Sequence, residues 1–340
     1  MKMLGQMIIS GFRGTNLTQH SPIIKDLETY DIGGVILYDE DVADPNLDSR
    51  NIASPEQVTQ LVQYLKSIND NSLIIGIDQE GGEVQRLRTK YGFPDCPSWG
   101  SVGTINDQDA TRDFSTSIAE TLSGLGINLN FAPVLDLDIN PLAFVPREGR
   151  CFSSNPEMVA EHARIFVDEH MSRNIIPVLK HFPGLGSAAA DTHEGFTDIS
   201  DTWSETELIP YTSLLSTADI PVIMVGHCFN KNLDPDWPAS MSHNIITGLL
   251  RKELGFEGIV VCDDPMMGAI AKHFPFDVVM EKMINAGVDL FCFGNNLVHD
   301  PDIVPRVIKT IESLIASGKI TEDRIQESLN RIAALKENMS

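Results

Sequence analysis

The chain has 340 residues, 42% of them hydrophobic, with 25 basic against 48 acidic side chains and a formal net charge of −23. A field of that sign repels phosphate backbones and anionic lipid surfaces, so neither nucleic acid nor a membrane is expected as a partner. Five scattered cysteines (Cys96, Cys151, Cys228, Cys262, Cys292) show no CxxC spacing. They fit a reducing cytoplasm better than a disulfide framework. The opening MKMLGQMIISGFRG is too interrupted by Gly5 and Gln6 for a signal peptide, and no apolar run is long enough to span a bilayer. A soluble, cytoplasmic, monomeric protein is expected.

In chain order, eight short β-rich runs stand out: QMIISGF (6–12), GGVILY (33–38), SLIIGID (72–78), INLNFAPV (127–134), IIPVLKHF (175–182), IPVIMVGH (220–227), GIVVCDD (258–264) and VDLFCFG (288–294). Most are nearly continuous in branched apolar residues rather than alternating, the pattern of parallel strands covered on both faces. Helical patterns lie between them. SPEQVTQLVQYL opens on Ser54 as N-cap, Pro55 at the first helical position and Gln57 completing a capping box, with Val58, Leu61, Val62 and Leu65 on one face. TEDRIQESLNRIAALK repeats the logic from Thr321, with Ile325, Leu329, Ile332 and Leu335 as its apolar face. Eight strands alternating with helices predict a single (β/α)8 barrel over residues 1–340. A doubly wound sheet is the alternative, but no GxGxxG follows the first strand.

Barrel enzymes keep their chemistry at the C-terminal ends of the strands. Those ends carry Asp39, Asp78, Asp136, Lys180 with His181, His227, and Asp263 with Asp264. In IDQEGGEVQRL (77–87), Asp78 and Arg86 suit either hydrogen bonding to hydroxyls or an ion pair closing a turn. Arg150 in GRCFSSNP is an anchor or an ordinary loop residue. After the fifth run comes KHFPGLGSAAADTHEGF (180–196), whose small residues predict a pliable segment, residues 183–196. Its Asp191 stands two residues before His193 and can accept the Nδ1 proton, leaving Nε2 to exchange one with a ligand. A lone DxH also fits a surface loop; its place directly after Lys180-His181 favours the catalytic reading. In VVCDDPMMGA (260–269), strand alternation implies that only one of Asp263 and Asp264 faces the mouth. That carboxylate and a proton donor on the loop are the two groups needed to cleave a glycosidic bond. His181, His193 and His227 match no zinc spacing, and no metal or cofactor is expected. Lys180 as a Schiff-base amine is a rival reading that leaves Asp191 and His193 without a role.

These motifs together resemble glycoside hydrolase family 3, in particular the compact bacterial β-N-acetylhexosaminidases that recycle cell-wall fragments. The likeness is carried in order by DQEGG…VQR (78–86), NFAPVLDLDIN (130–140), Arg150-Cys151-Phe152, KHFPG…DTH (180–193), the strand end at His227 and VCDDPMMGA (261–269). It implies a single barrel that removes non-reducing-end N-acetylglucosamine (GlcNAc) from peptidoglycan fragments or chitooligosaccharides with retention of configuration. Asp263 would be the nucleophile, His193 the acid/base oriented by Asp191, and Asp78, Arg86, Arg150, Lys180 and His181 the groups that bind the sugar. A phosphorylase using the same intermediate and a non-catalytic sugar-binding barrel are the alternatives. The chain departs from the family pattern at Leu185, Ser187, Cys262 and Pro265, and at Asp39-Glu40-Asp41, which opens a longer acidic loop (39–53) expected to narrow the mouth or alter the accepted leaving group.

Overall fold

All eight apolar runs form strands: β1 (Ile8–Gly11), β2 (Gly34–Leu37), β3 (Ile74–Ile77), β6 (Leu129–Asn130), β7 (Ile176–Phe182), β8 (Val222–Val225), β9 (Ile259–Cys262) and β10 (Leu290–Phe293), with a short hairpin of β4 (Gln79–Gly81) and β5 (Val84–Gln85) inserted after β3. The computed structural model describes residues 2–47, 49–69, 72–188 and 195–337. The eight longer-range strands close into one parallel barrel in the order β1-β10-β9-β8-β7-β6-β3-β2. Closure is sealed where β1 meets β10, with Ile8 opposite Phe291 and Ser10 opposite Phe293. Every residue of the eight barrel strands is buried. Helices and loops cover the outside and side chains fill the inside, so the runs read as continuous rather than alternating. The doubly wound alternative is excluded by closure.

Local signals did what their chemistry dictates. Helix Pro55–Ile68 starts with Gln57 N donating to Ser54 Oγ at 3.2 Å and buries Val58, Leu61, Val62 and Leu65. The reciprocal half of the expected capping box differs: Gln57 Oε1 accepts from Ala53 N at 2.7 Å, and its Nε2 donates to Thr15 O and Asn51 O. The side chain therefore ties the helix start to two loops instead of closing back on Ser54. Helix Glu322–Glu337 buries Ile325, Leu329, Ile332 and Leu335, and Arg324 N donates to Thr321 Oγ1 at 3.2 Å.

The N-terminal end of the barrel carries a separate polar knot. Asp289, fully buried just before β10, accepts from Arg251 at 2.6 Å, Arg331 at 3.0 Å, Arg324 at 3.2 Å and Ser328 Oγ at 2.7 Å. One carboxylate thus joins the strand to the C-terminal helix and to the helical segment Asn244–Glu253. Removing one partner of a buried ion pair leaves the others uncompensated, at a cost of about 3–5 kcal/mol. Asp289→Ala is expected to lose stability on that order in urea denaturation followed by circular dichroism.

Candidate active site

A cavity of about 360 Å³ opens at the C-terminal mouth of the barrel, lined among others by Tyr38, Asp39, Glu40, Asp78, Arg86, Phe144, Arg150, Lys180, His181, Asp263 and Asp264. That is at the small end of the range for small-molecule sites, roughly 300–1,000 Å³. Six of the residues singled out from sequence, Asp78, Arg86, Arg150, Lys180, His181 and Asp263, therefore meet in one place, from the ends of four barrel strands, β3, β6, β7 and β9, and the loops that follow them. Asp191 and His193 lie outside the described residues.

The floor is a chain of alternating charges. Arg150 grips Glu80 through two hydrogen bonds of 2.8 Å. Lys180 Nζ lies 2.6 Å from Glu80 Oε1 and 3.1 Å from Asp78 Oδ1. Arg86 reaches Asp78 at 3.3 Å and Asp39 at 3.9 Å, and Arg88 holds the other side of Asp39 at 2.7 Å. Burial alone would raise the Glu80 carboxyl, but Arg150 and Lys180 outweigh it and bring it down to about 2. Burial likewise works to lower Lys180, yet Glu80 and Asp78 hold its ammonium above the ordinary lysine value. A lysine so held is a poor amine nucleophile, which removes the physical basis of the Schiff-base reading. Glu80 is absent from the expected site. The signal was present: Asp78 and Glu80 are two apart in an extended segment and so face the same side, toward Lys180.

The β4–β5 hairpin aims Arg86 into this chain of charges. Gln79 Oε1 accepts from Arg86 N and Leu87 N, both at 3.0 Å, while Gln79 N donates to Asn130 Oδ1 at 3.0 Å. One buried amide thus pins the turn to β6. The Arg86 guanidinium also lies 5.3 Å from the centre of the Tyr38 ring.

His181 is placed by Asp136. Its Nδ1 donates to Asp136 Oδ2 at 2.7 Å, and Asp136 Oδ1 accepts from the backbone N of His181 at 3.2 Å and of Leu185 at 2.8 Å. Asp136 therefore sits behind the histidine and does not line the cavity, selecting the tautomer that leaves Nε2 as the free ring nitrogen. The Lys180–His181 peptide is cis, and both side chains line the cavity. A one-residue irregularity in the β7–β8 register between Leu179 and Phe182 accompanies this, as bulges do where a strand end re-aims its side chains. His227, expected at the mouth, is buried beneath Asp264 and is not among the residues lining the cavity: Nδ1 meets Ser240 Oγ at 2.8 Å and Nε2 meets the Asp264 carbonyl at 3.0 Å.

The expectation that alternation would turn one of the two adjacent carboxylates away is not met: Asp263 and Asp264 both line the cavity. The strand ends at Cys262, and beyond it the pleat no longer applies. Their surroundings still separate them. Asp264 caps its own turn and the next strand end, accepting from Met266 N at 2.9 Å and Gly294 N at 3.1 Å. Asp263 Oδ1 accepts from Asp264 N at 2.8 Å.

The small residues after His181 serve close packing through residue 188, where pliability was expected. A Cβ on Gly186 would lie 2.1 Å from Leu137 O; one on Gly184, at φ +119°, would lie 2.6 Å from Glu207 Oε2. Gly186 N donates to that same Oε2 at 2.9 Å. Burial pushes the Glu207 carboxyl up to about 7. Leu185 is buried and packs beside Gly226. The acidic loop is likewise tied down. Asp41 is turned inward between Arg13 at 2.7 Å and the fully buried Arg50 at 2.8 Å. Arg50 also donates to Asn295 O at 2.7 Å and Asn296 Oδ1 at 3.1 Å, joining the loop after β2 to the loop after β10.

The family profile described as the glycosyl hydrolase family 3 N-terminal domain matches residues 2–335. A β-hexosaminidase of Alkalilimnicola ehrlichii is 33% identical over 90% of this chain and 84% of its own length. A β-hexosaminidase A of Pseudoalteromonas piscicida is 30% identical over 98% of this chain and 60% of its own. Among solved structures, a family 3 β-N-acetylglucosaminidase from Paenibacillus sp. str. FPU-7 superposes with a TM-score of 0.89 at 30% identity, covering 99% of this chain and 62% of that one. The chain thus spans about three-fifths of the Pseudoalteromonas and Paenibacillus proteins. A closed parallel barrel with a polar cavity at its C-terminal mouth is the general architecture of barrel enzymes. The chain belongs to glycosyl hydrolase family 3, and its class is that of the glycoside hydrolases.

Glu80 contributes stability that is fully present above its ordinary value of 4.5 and is lost as pH falls through about 2. Glu80→Gln is expected to be less stable than the parent at neutral pH by about 3 kcal/mol. The difference should shrink as pH drops from 4.5 toward 2, read from urea midpoints across that range.

Proposed function

We propose that the chain is a retaining exo-β-N-acetylglucosaminidase, acting as one catalytic barrel on chitooligosaccharides or peptidoglycan fragments. The observation that carries this reading is the cavity itself. It is small, closed at its floor by Lys180 and Arg150, and has the half-buried Asp263 on its wall beside buried hydrogen-bonding groups. Such a shape suits one terminal sugar rather than an extended chain threading through.

Asp263 attacks the anomeric carbon and forms a glycosyl ester, while His193 protonates the departing oxygen. His193 then takes a proton from water, which releases the sugar and frees the carboxylate. The assignment of His193 and of its partner Asp191 is supported by the Asp-Thr-His pattern and the family membership. Lys180, Asp78, Arg86, Arg150 and His181 hold the sugar, with Glu80, Asp136 and Asp39 fixing those five in place. The buried, salt-bridged floor resists rearrangement, so its donors and acceptors are set before the substrate arrives. We place the enzyme in the cytoplasm, as five unpaired, buried cysteines suit a reducing compartment.

Mass spectrometry after incubation with a slow fluorinated GlcNAc donor is expected to show one covalent sugar, on the peptide carrying Asp263 and absent from Asp263→Asn. A label on another residue, or sugar binding without turnover of any β-GlcNAc glycoside, overturns the mechanism. His193→Ala should lower turnover of an alkyl β-GlcNAc glycoside by roughly 10²–10⁴-fold. It should lower the kcat/KM of a dinitrophenyl glycoside, which reports the first step and whose leaving group needs no proton, far less. His181→Ala should depress both alike, because its role is to hold the sugar.

A further inference from the structure

We infer that the rim of this cavity selects glycosides with an uncharged leaving group and disfavours those whose aglycone carries a carboxylate. The inference rests on the exo-glycosidase reading above, since a terminal sugar at the floor leaves its aglycone against the outer residues. Floor and rim differ sharply in exposure. The side chains of Lys180 and Arg150 are 3% and 7% exposed, whereas that of Glu40 is 60% exposed.

Three features carry the argument. First, no described cation lining the cavity is uncommitted. Arg150 is spent on Glu80, Lys180 on Glu80 and Asp78, and Arg86 on Asp78 and Asp39. At the rim, Lys90 is held by the Glu40 carboxylate at 2.8 Å, and Arg88 is held by Asp39. Second, the lining contributes five carboxylates, Asp39, Glu40, Asp78, Asp263 and Asp264, against three permanent cations. A second anion entering here meets like charge in partly desolvated surroundings, where repulsion is weakly screened. Third, the acidic rim is preset. Asn296 Nδ2 donates to Glu40 O at 3.2 Å, Asn296 Oδ1 accepts from Val42 N at 2.9 Å, and Arg50 holds Asn296 from below at 3.1 Å. The Glu40 backbone therefore cannot retreat from an incoming anion without breaking its hydrogen bond to an asparagine that a buried arginine holds in place. Beside it, Val42 and Leu297 line the cavity and present apolar surface that suits the face of a neutral sugar ring.

The test compares two disaccharides with the same non-reducing GlcNAc, one ending in an uncharged amino sugar and one whose reducing sugar carries a lactyl carboxylate. Their kcat/KM values are measured at about 0.01 M and about 0.15 M ionic strength. The neutral substrate is expected to be favoured roughly tenfold or more at low salt. The gap should narrow as salt rises, because the anionic substrate speeds up. At low salt Glu40→Gln should narrow the gap and Lys90→Gln should widen it. Equal kcat/KM values, or a gap that neither salt nor either substitution moves, overturn the inference while leaving the glycosidase reading intact. If neither disaccharide is cleaved, the glycosidase reading falls. Calorimetry with the corresponding non-hydrolysable thioglycosides then decides the rim selectivity by the same salt and variant criteria.

Discussion

A run of buried and half-buried alternating charges, Arg150–Glu80–Lys180–Asp78–Arg86–Asp39, is the interaction on which the mouth of this barrel depends. Each member satisfies its neighbours, so no isolated charge is left in a low-dielectric interior, where it would cost several kcal/mol. The run also follows four neighbouring strands, β7, β6, β3 and β2, around one side of the mouth. Lys180 comes from β7, Asp78 and Glu80 from the end of β3 and the hairpin beyond it, Arg150 from the loop after β6, and Asp39 from the end of β2. Electrostatic satisfaction and the convergence of distant strand ends are thus the same event. Neutralising Glu80 would leave Arg150 without its carboxylate and Lys180 with only one of its two.

The two ends of the barrel use this device for different purposes. At the N-terminal end, Asp289 gathers three arginines and a serine and locks the C-terminal helix onto β10. At the mouth, the paired groups remain in contact with a cavity, so their ordering is available to a ligand. Loops that would otherwise be free at the mouth are recruited by arginines as well. Arg50, fully buried, draws the acidic loop after β2 against the loop after β10 and leaves Glu40 on the rim while burying Asp41. Neighbouring acidic residues in one loop therefore have opposite fates, and their count in the sequence overstates the negative charge that a ligand meets.

The fold was legible because parallel strands covered on both faces leave unbroken apolar runs, and all eight were recoverable that way. The helix starting at Ser54 and the one starting at Thr321 were legible from capping chemistry, although the side chain of Gln57 found partners in other loops. Much of the cavity was readable for a different reason: a barrel brings all strand ends to one face, so charged residues at strand ends are candidates without knowledge of their contacts. Where this reasoning failed, it failed locally. Alternation misjudged Asp263 and Asp264 because the strand stops one residue before the pair. His227 was taken for a mouth residue because its position shows where the strand ends and not which way the ring turns. The glycines at 184 and 186 were read only as part of a pliable segment, whereas the close approach of Glu207 and Leu137 is what demands them.

Residue order alone determined the strand count, the closed parallel architecture and the family, because these follow from hydrophobic period and from motifs that are contiguous in the chain. Tertiary structure decided which acid pairs with which base. Glu80 became the keystone of the floor and Asp136 the support of His181 through contacts spanning 45 to 100 residues. Electrostatic partnership depends on distance in space, and only the side-by-side pairing of β3, β6 and β7 brings those residues within reach of one another.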